Sequence, residues 1–286
     1  MKSLIAIVGP TGVGKSKLAL SLAQSFNGEI VNADSRQVYC YMDIGTAKPS
    51  LEERASVPHH LIDIVDPDET FSLALYQSLA YKAIKDIQQQ GKIPLLVGGS
   101  GLYVWSVLEG WQIPRVPPNL ELRRCLEERA AKEGVDSLYR QLAKIDPEAA
   151  REIDPRNVRR VIRALEVYEA PYIPPSQLRR KELPPFKALI LGLTTTREEL
   201  YTRIDQRVDD MIKQGLVDEV KGLVDKGYGF DLPAMSSVGY KQIGEFIRGK
   251  IDLPIAIRQI KFETHRFARH QYAWFRLNDP RIRWFD

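Results

Sequence analysis

Apolar residues fall along this chain in two kinds of run. Short continuous stretches occupy Leu4 to Val8, Glu29-Ile30-Val31-Asn32-Ala33, Leu61 to Val65, Ile93 to Val97 and Ala188 to Leu193. Their length and β-branched content are those of strands buried on both faces. Between them apolar positions recur every three or four residues, from Lys17 to Ala23, from Phe71 to Gln90 before Gly91, and from Leu102 to Leu108, which predicts helices. Strand alternating with helix across short connections predicts an α/β fold, a parallel sheet flanked by helices on both faces.

The alternation is interrupted between residues 111 and 186. Three prolines lie between Ile113 and Pro118, and Pro171, Pro174, Pro175, Pro184 and Pro185 form a second cluster. Helical periodicity fills the space between, at Asn119 to Lys132, Val135 to Lys144 and Arg156 to Tyr168. The reading is a core of residues 1–110 and 187–286, with 111–186 as a helical insertion domain between stiff linkers. Helices follow in the core at Arg197–Gln214, Val217–Lys226, Gly239–Arg248 and Pro254–Arg276, and a last strand at Ile282–Phe285. There is no internal repeat and no low-complexity segment.

The first strand runs into Gly9-Pro10-Thr11-Gly12-Val13-Gly14-Lys15-Ser16 and then a helix, the P-loop spacing GxxxxGK[ST] in its strand–loop–helix setting. Glycines let the backbone turn its N–H groups around a phosphate. The helix start adds partial positive charge, Lys15 a full charge, and Ser16 a hydroxyl able to hold Mg²⁺. The motif selects a polyphosphate without saying which one. In parallel sheets ligands gather at the carboxyl ends of strands, so the P-loop, Asp34-Ser35 and Gly98-Gly99-Ser100 are expected to converge.

Several residues there carry chemistry under one reading and structure under another. Asp34 is a general base or metal ligand, or a turn or cap residue. Gly98 to Gly101 leave backbone room and a hydroxyl beside a ligand, with Ser100 equally suited to cap the following helix. Arg159, Arg160 and Arg163 crowd one helical stretch and call for an anion, either RNA phosphate or Glu152, Asp154 or Glu166. Arg203 and Arg207, one turn apart, either reach a leaving-group phosphate or are surface charge. The run from Thr264 to Arg276 interleaves bases with aromatics, as RNA stacking or an amphipathic core helix would. Asp209-Asp210-Met211-Ile212-Lys213 is not a DDxxD pair, so any prenyl diphosphate has to be held by the P-loop.

Composition narrows the setting. The 286 residues, 44% hydrophobic and 27% charged, suit one large domain or one with an insertion. No apolar run is long enough to span a membrane, and the chain enters a strand at once, so neither a membrane segment nor a signal peptide is expected. Two distant cysteines, Cys40 and Cys125, exclude a disulfide scaffold and a cysteine zinc site and fit the cytoplasm. The net charge of +4 is uneven. Residues 111–190 hold 16 Lys and Arg against 12 Asp and Glu, and residues 241–286 hold 10 against 5, which leaves −5 on the rest. Two basic regions on an acidic base suit a polyanionic partner or uneven solvated helix faces.

Taken together, the P-loop, Asn32 to Tyr39, Met42-Asp43-Ile44-Gly45-Thr46-Ala47-Lys48-Pro49, Pro58 to Asp63, Leu95 to Tyr103, Arg163 to Val167, Val238 to Lys241, and Arg269-His270-Gln271 with Trp274-Phe275 resemble the bacterial tRNA dimethylallyltransferases. The resemblance runs in order along nearly the whole chain, and the stretch from Asp43 to Pro49 is its most distinctive part. It implies a P-loop NTPase-like fold and a monomer. It implies transfer of a dimethylallyl group from its diphosphate to the exocyclic N6 amine of the adenosine just 3′ of the anticodon in certain tRNAs. Gly9, Pro10, Thr11, Gly12, Val13, Gly14, Lys15 and Ser16 would hold diphosphate rather than ATP, with Mg²⁺ on Ser16. Asp34 would be the general base, and Thr11 and Arg203 would flank the diphosphate. Asp34, Ser35, Arg36, Gln37, Ser100, Arg123, Arg159, Arg160, Val161, Ile162 and Arg163 would meet tRNA. The chain departs from the family pattern after Tyr168, where Glu169-Ala170-Pro171 stands in place of a Gly-Lys turn. Its two cysteines exclude the zinc finger of eukaryotic members. A small-molecule kinase or a nucleotide-gated RNA-binding module would share the P-loop. The basic regions and Asp43–Pro49 argue against the first, and the placement of Asp34 argues against the second.

Overall fold

The computed structural model describes residues 3–114, 116–170, 174–178 and 180–286. Of the second proline cluster, Pro171 lies outside the described residues. The core begins with β1 (Ser3–Val8), α1 (Lys15–Ser25), β2 (Gly28–Asn32), α2 (Leu51–Ser56), β3 (His59–His60), α3 (Leu73–Gln89), β4 (Ile93–Val97) and α4 (Gly101–Leu108). There follow β5 (Trp111–Gln112), α5 (Leu120–Glu133), α6 (Val135–Ile145), α7 (Pro147–Glu152), α8 (Val158–Glu169), α9 (Pro175–Leu178) and β6 (Arg180–Lys181). The chain then continues through β7 (Lys187–Leu193), α10 (Arg197–Lys213), α11 (Leu216–Asp225), α12 (Tyr240–Ile247), α13 (Leu253–Trp274) and β8 (Ile282–Phe285). Two compact units result, Met1–Leu108 with Pro184–Asp286, and Glu109–Leu183.

The first unit is built on a six-stranded sheet in the order β3-β2-β4-β1-β7-β8. Every pairing is parallel, with Ile7 opposite Val97, Ile30 opposite Leu95 and Ala6 opposite Ile190. A parallel sheet covered on both faces buries its strands, and β2 is accordingly buried at every position, its polar Glu29 paired with His60 and Lys92 and its Asn32 bonded to the Leu61 carbonyl. Ala19 and Ala23 of α1 are small enough to bring that helix close onto Ile7, Ile30 and Leu95. Because β4 and β7 flank β1 on opposite sides, the chain ends of β1, β2 and β4 open onto one crevice. Among the described residues no helix is long and apolar enough to cross a membrane.

The strand expected at Leu61–Val65 forms instead at His59–His60, paired with Ile30 and Val31. Leu61 and Asp63 take positive φ, 64° and 54°, and cannot extend. The Asn32 side chain donates to the Leu61 carbonyl (3.0 Å), and the Asp63 carboxylate turns to Lys48 and Arg54. Those bonds outweigh the strand preference of an apolar run.

The second unit has its own core, in which Leu126, Leu138, Leu142, Ala150, Ile153, Val161, Ile162 and Leu165 pack together. Buried Asp146 caps α7 through Ala149 N–H (2.9 Å) and accepts the Ser176 N–H (2.8 Å), so one carboxylate fixes two helix starts. The antiparallel pair β5 and β6 completes it.

Candidate functional site

The P-loop is anchored by its least polar member. Val13 is 7% exposed and packs on Leu200 and Ile204 of α10 and Ala268 of α13. Gly9, Gly12 and Gly14 take φ of 137°, 92° and 95°, the left-handed region that side chains resist. Helix α1 then starts with no side-chain cap and no acidic residue in its first turn. Its orphan N–H groups are free for an anion, whereas α2, α3, α5, α10 and α13 each spend a capping side chain there.

Lys15 Nζ donates to the Pro10 carbonyl (2.7 Å). Loss of water around the ammonium pushes its pKa down to about 7. The Asp34 carboxylate pulls it back up and the Arg207 guanidinium pushes it further down. A phosphate in the loop would replace the missing solvation, so the site is electrostatically incomplete without an anion. The exposed Ser16 hydroxyl makes no hydrogen bond among the described residues.

Asp34 follows β2 and is half-buried. Its Oδ1 accepts the Arg36 N–H (2.8 Å), and its own N–H goes to Asn32 Oδ1 (3.0 Å). Turn and chemistry therefore coexist in one carboxylate: Oδ1 closes an Asx turn, and Oδ2 has no hydrogen-bond partner among the described residues. The Ser35 N–H donates to Ser100 Oγ (3.0 Å), and the two hydroxyls lie 3.2 Å apart. Gly98 N–H reaches the Ile7 carbonyl (3.2 Å) and Ser100 N–H the Ala33 carbonyl (3.2 Å). The three strand ends are thus bonded to one another around a cleft of about 600 Å³, whose walls include Lys15, Ser16, Asp34, Arg207 and Phe267.

Of the run from Asp43 to Pro49, Gly45 to Pro49 form another wall of this cleft. Glu219 Oε2 accepts the N–H groups of Asp43 (2.8 Å) and Ile44 (2.7 Å), while Oε1 accepts those of Gly45 (3.1 Å) and the Tyr240 hydroxyl (2.6 Å). The Lys48 side chain is buried to 1% exposure against the Tyr39 carbonyl (2.7 Å) and the carboxylates of Asp43 and Asp63. Gln37, expected at RNA, donates to the carbonyls of Thr46 and Ala47 (both 3.1 Å), and Arg36 donates to the Pro233 carbonyl (3.0 Å).

The two candidate arginines separate. Arg207 lines the cleft, with Nη1 3.5 Å from Thr11 Oγ1. Arg203 is bound to Glu199 one turn back, in a pair about half exposed, and is absent from the cleft wall. Helix α13 contributes a residue not expected at the site. Gln271, 4% exposed, accepts the Thr11 N–H (2.8 Å) and donates to the Gly99 carbonyl (2.9 Å). Its signal was available: a polar residue in the row Ala268, Gln271, Phe275, which the helix period buries.

In the second unit the arginines expected at RNA also divide. Glu166, 2% exposed, takes Arg123 in a bidentate pair (both 2.8 Å), Arg163 (2.5 Å) and the Asn119 N–H (2.7 Å). Val161 and Ile162 are 0% and 3% exposed, so their side chains belong to the helical core and offer nothing to RNA. Arg159 and Arg160 are exposed and have no acidic partner among the described residues. Arg123→Ala is expected to lower unfolding stability by about 1–3 kcal/mol, because it strips a buried carboxylate of two bonds. Arg159→Ala should stay within about 0.5 kcal/mol. Urea titration of the two variants checks this.

Comparison with known proteins bears on the whole chain. The family model IPP transferase matches residues 37–278, and the model Isopentenyl transferase matches residues 2–63. The chain is 57% identical to the tRNA dimethylallyltransferase of Roseiflexus sp. (strain RS-1), over 96% of this chain and 90% of that protein. With that of Herpetosiphon aurantiacus it is 56% identical, over 98% and 89%. The crystal structure of the tRNA isopentenylpyrophosphate transferase of Bacillus halodurans superposes with a TM-score of 0.73 at 43% identity, covering 100% of this chain and 90% of that one. A eukaryotic dimethylallyltransferase solved acting on tRNA gives a TM-score of 0.85 at 32% identity, covering 100% and 74%. The P-loop at the end of β1, the Asp34 turn and the cleft between them are therefore those of a chain that belongs to the IPP transferase family.

Proposed function

We propose that this protein is a tRNA dimethylallyltransferase. It would move the dimethylallyl group of dimethylallyl diphosphate onto the N6 amine of the adenosine just 3′ of the anticodon, releasing diphosphate. The observation that carries the reading is a carboxylate oxygen without a partner among the described residues, Asp34 Oδ2, in the same cleft as an uncapped helix start and a desolvated lysine.

An allylic diphosphate ionises once its leaving group is neutralised. The amides from Gly12 to Ser16, Lys15 and an arginine supply that neutralisation. We assign the arginine role to Arg207, beside Thr11, because Arg203 is committed to Glu199. Ser16 fits a magnesium site of the kind completed by substrate: among the described residues its hydroxyl has no partner, and no cluster of three His, Cys, Asp or Glu competes for a metal. Mg²⁺ keeps its waters and takes few protein ligands beside phosphates. Bound there, it would add charge neutralisation on the diphosphate.

The adenine amine is a weak nucleophile, its lone pair shared with the ring. As the bond from N6 to the allylic carbon forms and the C–O bond to diphosphate breaks, Asp34 Oδ2 would accept the amine proton. The segment Asp34–Gln37 and Ser100 would receive the nucleotide, which leaves its stack more cheaply from a loop than from a duplex. Arg159 and Arg160 would meet RNA phosphates, with Arg123 and Arg163 shaping that surface through Glu166. The protein would act as a monomer in the cytoplasm, where a tRNA substrate is met.

Incubation with unmodified tRNA, labelled dimethylallyl diphosphate and Mg²⁺, in parallel with labelled ATP, tests the reading. Label enters RNA only from the prenyl donor, and phosphoryl transfer from ATP would refute it. Arg160→Ala should weaken tRNA binding and reduce its log-salt slope by about one, with affinity for dimethylallyl diphosphate unchanged. An unaltered slope would make Arg160 a bystander.

A further inference from the structure

We propose that Gln271 is a positioning residue, which fixes the Thr11 end of the P-loop for the chemical step. The proposal rests on the reading of the cleft as a dimethylallyl-transfer site. A buried amide is costly unless both ends are bonded, and Gln271 on α13 has both ends bonded, one on each of two cleft segments. Which end is oxygen is settled by the partners: the Thr11 N–H can only donate and the Gly99 carbonyl can only accept.

Two consequences follow from those bonds. The Thr11 amide is turned toward α13, so phosphate is left to the amides from Gly12 onward. The Thr11 hydroxyl is held 3.5 Å from Arg207, so Gln271 fixes the pair at the reacting end of the loop. The body of the loop does not depend on it, because Val13 is packed independently on Leu200, Ile204 and Ala268. Residue 99 is matched to this arrangement: a Cβ there would stand 2.1 Å from Gln271 Nε2, so any side chain at 99 expels the amide.

Removing the amide should therefore damage turnover more than diphosphate binding. Gln271→Met keeps the approximate volume and loses both bonds. Its kcat should fall about 10–100-fold, the scale of a misplacement of about 1 Å at a reacting centre. Its Kd for inorganic pyrophosphate with Mg²⁺ should stay within about threefold of wild type. Amide exchange at Thr11 should quicken about tenfold or more. Gly99→Ala, which displaces the amide from the other side, should reproduce the loss and serves as the second variant if Gln271→Met does not fold. Gly99→Ala combined with Gln271→Ala should be no slower than Gly99→Ala alone, since each removes the same contact. The proposal is overturned if kcat stays within about twofold of wild type, if pyrophosphate affinity falls in step with kcat, or if Thr11 exchange does not change. The exchange measurement needs no turnover. An inactive wild-type protein would therefore refute the assigned reaction while Thr11 protection still decides the role of Gln271.

Discussion

Asp34→Asn is expected to lower kcat for dimethylallyl transfer about 10²–10⁴-fold, the usual worth of a positioned base. Asparagine is the informative replacement, because its side-chain oxygen can still accept the Arg36 N–H that Asp34 Oδ1 accepts at 2.8 Å. The turn is kept and only proton acceptance is lost, whereas alanine would remove both. The Asp34 charge also props up the protonated form of Lys15, so its removal drives the lysine pKa lower still. Binding of dimethylallyl diphosphate should therefore be compared below pH 7, where the lowered Lys15 pKa matters least, and there it should be nearly unchanged. Binding of tRNA should lose about one hydrogen bond, roughly 0.5–1.5 kcal/mol. If Asp34 were a metal ligand instead, excess Mg²⁺ would restore much of the rate to the variant. Substantial rescue in a Mg²⁺ titration would reject the base assignment.

Lys15→Met is expected to raise the Kd for diphosphate about 10–100-fold near pH 6, through loss of a charge-assisted hydrogen bond of about 1.5–3 kcal/mol. It should lower kcat a further 10²–10³-fold or so, because the charge on the leaving group grows in the transition state. The effect carries a pH signature. Free Lys15 titrates at about 7, and a bound anion raises that value, so binding above pH 7 must first protonate the lysine. The affinity advantage of wild type over Lys15→Met should accordingly shrink as pH rises, by about tenfold at a pH one unit above the free pKa. Taking the ratio of the two proteins cancels the titration of the ligand itself. A ratio constant from pH 6 to 8 would show that the lysine is not desolvated in the free enzyme.

What could be read from sequence was whatever is local and periodic. β1 and β4 are apolar and buried on most of their length, and the P-loop announces itself by spacing, because its mechanics need glycines and a lysine at fixed offsets. Helix α2 carries an equally local mark that periodicity does not show: Ser50 and Glu53 form a capping box, a pattern with a known signature. Short α7 had its marks too, with Asp146 as cap and Pro147 in the first turn. Elsewhere the deciding partners are far apart in sequence. Leu61–Val65 has the composition of a strand, but Asn32, Lys48 and Arg54 bend it. For Arg163 the sequence left RNA phosphate and Glu166 as alternatives, and Arg123 was marked by resemblance alone; the buried Glu166 that takes both lies 43 residues from Arg123. Arg203 and Arg207 are equivalent by spacing, and only the packing of α10 against Val13 and Thr11 tells them apart. Glu219 gives no local sign that it holds the N–H groups of Asp43, Ile44 and Gly45.

The reaction itself can be tested with two anticodon stem-loop RNAs that differ in one group. One carries adenosine just 3′ of the anticodon, and the other carries at that position a purine nucleoside without the exocyclic amine. With labelled dimethylallyl diphosphate and Mg²⁺, the account predicts that label enters the adenosine RNA alone, on its N6, with release of diphosphate. Equal labelling of the RNA that lacks the amine, or no labelling of either by folded protein that binds the diphosphate, would contradict it.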